Sequence, residues 1–193
     1  MLWPYLRGPM ATPKSTEKAR RMDLAFASLL SKDDEEVLAA ITRIDAEGDA
    51  RAIRPLLVAL ANNSSPSVQQ RITQLLFQVK AAQADEALFA ALEDAEFAGI
   101  KATVLSTFWN AGIDVRGRLE TFVDIALSGT AAESFECLTV IENQEFWSEK
   151  EARAALRRLE RDAIAEQDPY KAAILTDLQN VLRLRLGKEE VSG

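Results

Sequence analysis

Histidine is missing from this sequence altogether. That removes serine–histidine and cysteine–histidine nucleophile pairs, histidine metal sites and the commonest proton carrier near neutral pH. There is one cysteine, Cys137, so no disulfide can close within the chain, and a reducing cytoplasm is the expected compartment. Its helical surroundings hold no obvious base to activate the thiol, which reads as a small packing group. No glycine-rich loop of the phosphate-cradling kind occurs. No apolar run approaches the roughly 18 residues of a membrane span, so no membrane partner is expected. The opening MLWPYLRGPMATPK has three prolines and too short an apolar run for a secretory signal. It is expected to be a tail, residues 1–14, from which Trp3, Tyr5 and Leu6 could dock on the first helices or on a partner.

Helix breakers are also scarce. Eight glycines and six prolines are set among abundant Ala, Leu, Glu and Arg, a composition that favours helix throughout. The one strand-like alternation, Leu182-Arg183-Leu184-Arg185-Leu186, continues a helical stripe through Ile174, Leu178 and Leu182.

What the chain does have is repetition. Between Gly48 and Val79, Ile53, Leu56, Leu57 and Leu60 share one helix face, Asn62 to Ser65 interrupt it, and Pro66 opens a second helix carrying Val68, Ile72, Leu75, Leu76 and Val79. An offset of 31 backwards places Met22, Phe26, Leu29, Val37, Ile41 and Ile44 under matching positions. An offset of 32 forwards gives Leu88, Leu92, Ile100, Val104, Thr107 and Phe108. A further 35 reaches Val123, Leu127 and Phe135, with Thr139 and Glu142 falling on apolar positions. The last pair carries Leu156, Leu159, Ile174, Leu178, Val181 and Leu182 at a longer internal spacing, as a terminal cap would. Neither helix of a pair can bury its stripe alone, so pairs must cover one another.

Start signals fall where this division needs them. Ser15 or Thr16 is placed to cap the first helix and Asp33 or Asp34 the second, with Glu35 and Glu36 at the positive end of its dipole. Thr130 with Glu133 and Ser148 with Glu151 are spaced as capping boxes, with Trp147 outside the latter as a staple. Gly112 and Gly117 bracket a longer loop, and Asp168-Pro169 starts the last helix, which Gly187 is expected to stop.

Gly48-Asp49-Ala50-Arg51-Ala52-Ile53-Arg54-Pro55-Leu56-Leu57 and Pro66-Ser67-Val68 with Ile72 resemble the two helices of a HEAT repeat. The resemblance implies an all-α, right-handed α-solenoid of about five antiparallel helix pairs over residues 15–187, with a second tail at 188–193. It also implies a role in holding other proteins. The arginine that usually follows the Val68 position is replaced here by Gln69, Lys101 and Glu136, so the family's inter-repeat polar ladder is not expected to be kept. Iron-dependent hydroxylases of this repeat type use histidine–glutamate ligands, which this chain cannot supply.

Helix geometry of about 100° per residue sets Phe77 opposite its stripe, towards the concave side of such a stack. An offset of 32 puts Trp109 beside it, with Thr73, Leu105 and Val140 in the next column and Gln70, Gln74 and Asn110 around them. These eight are the candidate partner-binding residues, an aromatic and amide surface suited to a peptide or helix. The same wheel admits burial of Phe77 and Trp109 between neighbouring helices. Arg153, Arg157, Arg158 and Arg161 form a second candidate, either a salt-bridged face or a patch for an acidic partner. The net charge of −7 disfavours nucleic acid. The expectation is a non-enzymatic protein-binding scaffold with no cofactor and no metal. The alternative is a cofactor- or nucleobase-handling subunit of the pigment-lyase or glycosylase kind.

Overall fold

The computed structural model describes residues 13–192, with side chains from 17 to 187. Ten α-helices follow in pairs: α1 (Pro13–Ser28) and α2 (Asp34–Glu47), α3 (Ile53–Asn62) and α4 (Pro66–Leu76), α5 (Ala84–Glu93) and α6 (Lys101–Ala111), α7 (Leu119–Ser128) and α8 (Ala131–Asn143), α9 (Glu149–Asp162) and α10 (Pro169–Ser192). Among the described residues no strand occurs. The two helices of each pair pack together, and the second helices also touch in series, α2 on α4, α4 on α6, α6 on α8 and α8 on α10. Of the first helices, α3 packs on α5 and α7 on α9.

Short polar side chains set the helix starts. Asp33 Oδ1 accepts the Glu35 amide at 2.9 Å, and Thr130 and Glu133 form a reciprocal capping box. Ser148 accepts from the Glu151 amide and Asp168 from the Tyr170 amide. Pro66 occupies the first turn of α4, where the missing N–H has no partner to lose. Asp49 and Asp94 instead open short 3-10 turns, 50–52 and 95–100, that lead into α3 and α6. Pro55 therefore stands in the first turn of α3.

Two boundaries differ from expectation. Helix α1 begins at Pro13, ahead of Ser15 and Thr16, because a proline φ is already helical. Helix α10 runs through Gly187 to Ser192. Gly187 is not among the glycines with positive φ, and Lys188, Glu189 and Glu190 are good helix formers. The proposed docking of Trp3, Tyr5 and Leu6 lies outside the described residues.

The apolar stripes meet in one continuous core from Met22 to Leu186. Its bulkiest knot joins α5, α6 and α7, where the rings of Phe89 and Phe108 lie 4.8 Å apart and those of Phe108 and Phe122 5.5 Å apart. In α8 the register departs from the 35-residue offset. Phe135 is 49% exposed, while Ser134, Cys137, Leu138 and Ile141 are buried. One residue less, 34, sets Ser134, Leu138 and Ile141 under Ile100, Val104 and Thr107. Thr139 and Glu142 then fall off the buried stripe, which removes their conflict with the pattern.

Polar contacts tie unit to unit. Arg54 on α3 bonds Asp94 and Glu96 at 2.6 and 2.7 Å and lies over the buried Phe97 ring. Arg71 on α4 reaches Asp45 on α2 at 2.8 Å, and Arg158 on α9 pairs with Asp124 on α7. These arginines do not follow the Val68-type positions, and each bridges two successive pairs.

Candidate functional site

The side chains singled out on the second helices do not all reach the surface. On α4, Gln70 and Gln74 are exposed, Thr73 is half-buried, and Phe77 caps the helix end half-buried. On α6, Trp109 is 36% exposed and its Nε1 donates to Glu136 Oε2 at 2.8 Å, which fixes the indole against α8. Asn110 is exposed, and its amide donates to the Ser106 carbonyl of its own helix. Leu105 and Val140 are buried, contrary to their assignment to a groove surface. The reason is packing on both flanks: α6 is held between α4 and α8, and Val104 through Phe108 are all inaccessible. Phe77 and Trp109 make no ring contact, since the ring pairs among the described residues involve Phe89, Phe108 and Phe122.

Trp109 faces a different partner. A cleft of about 460 Å³ opens at the ends of α6 and α8, lined by Trp109, Ile113, Val115, Asn143, Glu145 and Phe146 among others. Phe146 is 58% exposed, whereas the adjacent Trp147 is buried and donates its Nε1 to the Ile141 carbonyl. Two neighbouring depressions continue the cleft along the same edge. One of about 350 Å³ shares Gly112, Ile113 and Asp114 with it. Another of about 370 Å³ shares Val79, Lys80 and Ala81 with the second and extends to Ile44 and Gly48. Together they form a groove past the ends of α2, α4, α6 and α8.

Local sequence explains why the edge is open and firm. Each of α2, α4, α6 and α8 ends in a turn that must reverse the chain, and two of these turns need left-handed backbone, at Gly112 (φ 65°) and Gln83 (φ 64°). Polar atoms at the helix ends and turns are bonded by groups from neighbouring units. Lys80 donates to Ala111 O, the Val115 amide to Gln144 Oε1 at 3.3 Å, and Arg185 to the carbonyls of Glu142 and Gln144. Burial holds the Arg185 guanidinium below its ordinary pKa. The groove floor is thus stitched from pair to pair.

Burial and local bonds set the titratable groups. The Cys137 thiol is buried and its pKa is pushed up by that burial, then by Glu133 and Glu136. The resolved carboxylate shifts, at Asp49, Asp94, Asp114, Asp162 and Glu166, are all downward, and bonds to arginine or to backbone amides lead each of them. The arginine patch on α9 is largely compensated. Arg153 bonds Glu149 at 2.6 Å, Arg158 pairs with Asp124, and Arg161 bonds Asp162 at 2.6 Å, with Arg157 exposed beside them. Among the described residues no helix is long and apolar enough to cross a membrane.

Phe146 and Glu145 were absent from the candidates. The one usable signal was the pair Phe146-Trp147 ahead of a cap, since a chain entering a helix can turn only one of two adjacent aromatics inward. Compared with protein-family models, with curated proteins and with solved structures, the chain matches none.

Proposed function

We propose that the ten helices are a HEAT-like, right-handed α-solenoid of five antiparallel pairs, and that the protein is a non-enzymatic, cytoplasmic scaffold which holds an extended segment of a partner protein. Packing of pair upon neighbouring pair supports the first part. The observation that carries the second is the continuous groove, which ends at two accessible aromatics, Trp109 and Phe146. Large rigid rings in a partly desolvated cleft are the usual anchors of binding energy. A groove that crosses successive pairs also suits an extended chain better than a compact metabolite. The binding line shifts accordingly from the middle of the second helices to their ends, and Trp109 is common to both.

An array of immobilised octapeptides probed with the full chain tests this. Phe146→Ala, at a mostly exposed position, is expected to keep the melting temperature within about 2 °C, whereas Trp109→Ala, which also loses its bond to Glu136, should stay folded with a fall of roughly 3–6 °C. Each should weaken binding of the selected peptides by roughly 30-fold, the size of a hot-spot loss. Undiminished binding by both variants would remove the groove as the site.

A further inference from the structure

The groove carries an imbalance of charge. Its lining includes the carboxylates of Asp45, Asp49, Asp85, Asp114 and Glu145, against the cations Lys80 and Arg116. Arg71 holds Asp45, Arg51 holds Asp49 and Arg116 holds Asp114. Lys80 donates to the Ala111 carbonyl, a neutral acceptor that holds the ammonium in place and leaves its charge. Asp85 and Glu145 are left, in different depressions of the same groove, and among the described residues neither has an ion-pair partner. Glu145 stands between Gln144 and the exposed Phe146 in the chain and lines the same cleft as Trp109.

We propose that the occupant is a basic segment, with arginine or lysine side chains spaced to meet Asp85 and Glu145 and with apolar side chains seated between them. The inference rests on the groove reading above and adds the chemistry of the partner. An arginine is suited to the Trp109 end in particular, because its guanidinium can stack on an aromatic face while it bonds a carboxylate. An acidic segment or a nucleic acid backbone would meet two carboxylates without an ion-pair partner against the single charge of Lys80. Complementary rim charges of this kind steer encounter and select partners more than they add affinity. Binding should therefore weaken with salt as the Debye length contracts from about 10 Å at 0.1 M to about 3 Å at 1 M.

The same octapeptide array decides the point through the composition of the peptides bound. The wild-type chain should select peptides enriched in Arg and Lys over Asp and Glu. Glu145→Lys, an exposed change in a loop, should weaken those peptides by roughly tenfold and let acidic ones appear. Asp85→Asn serves as the second variant and should lower the basic enrichment with less effect on folding than a charge reversal in the first turn of α5. Peptides bound without charge preference, yet lost on Trp109→Ala, would overturn the basic partner and leave the groove standing. Selection of acidic peptides would overturn it as well. An array with no bound peptide would overturn both.

Discussion

Phe108→Ala is expected to destabilise the protein by about 3–5 kcal/mol, the cost of deleting a buried ring that its surroundings cannot collapse onto. Phe108 is 1% exposed and touches two other rings, Phe89 at 4.8 Å and Phe122 at 5.5 Å between centroids. These rings come from α6, α5 and α7, so one truncation loosens the joint between the third and fourth pairs. Each geometry is tilted or edge-on, an arrangement favourable by about 0.5–1.5 kcal/mol per pair beyond burial. The companion is Phe135→Ala. The 35-residue offset gave Phe135 a core position, but it is 49% exposed, and its removal should change stability by less than about 0.5 kcal/mol. Urea unfolding of the two variants separates the registers. Similar losses at both positions would mean that the buried stripe of α8 is wrongly assigned.

Lys171→Met should cost about 2–3 kcal/mol, from a group whose neighbours cannot be satisfied otherwise. The Lys171 ammonium, 9% exposed at its side chain, bonds the Leu127 carbonyl at the end of α7 and the Glu166 carboxylate at 2.9 Å. Methionine matches the length and removes the charge. The Leu127 carbonyl then loses its donor. Glu166 loses its cation but keeps amide bonds from Gln167 and Asp168, and for that reason the expected cost lies below that of stripping a fully buried pair. Lys171→Arg, which retains the charge, should recover part of the loss. A methionine variant as stable as the wild type would show that the bond between α10 and α7 carries no weight.

Much of the architecture was legible because it is written in local chemistry. Helix starts at Asp33, Pro66, Thr130, Ser148 and Asp168 follow from short polar side chains and proline, whose effect reaches only a few residues. The paired stripes were legible for a similar reason, since a helix face is a matter of spacing. The register of α8 was not, because Phe135 is as apolar as its neighbours and only contact with α6 and α7 shows which face is covered. Leu105 and Val140 failed likewise: a wheel drawn for one helix cannot see the two beside it. The groove was illegible for a further reason. It is made by turns from successive pairs, and the bonds that fix it, such as Lys80 to Ala111 and Arg185 to Gln144, span 31 and 41 residues. Trp109 was found through its repeat position, whereas Phe146 lies in a turn that no repeat offset covers.

The claim beneath all of this is that the pairs are coupled in line, each chiefly to its neighbours. Hydrogen exchange on Met22→Ala, read helix by helix by mass spectrometry, tests it most directly. Met22 is fully buried in α1, at one end of the series, and its truncation should cost about 2–5 kcal/mol locally. In a line of units that loss should strip protection from α1 and α2, reach α4 weakly and leave α8, α9 and α10 as protected as in the wild type. An equal fall in protection across all ten helices would contradict it, since that is how a single closed bundle responds.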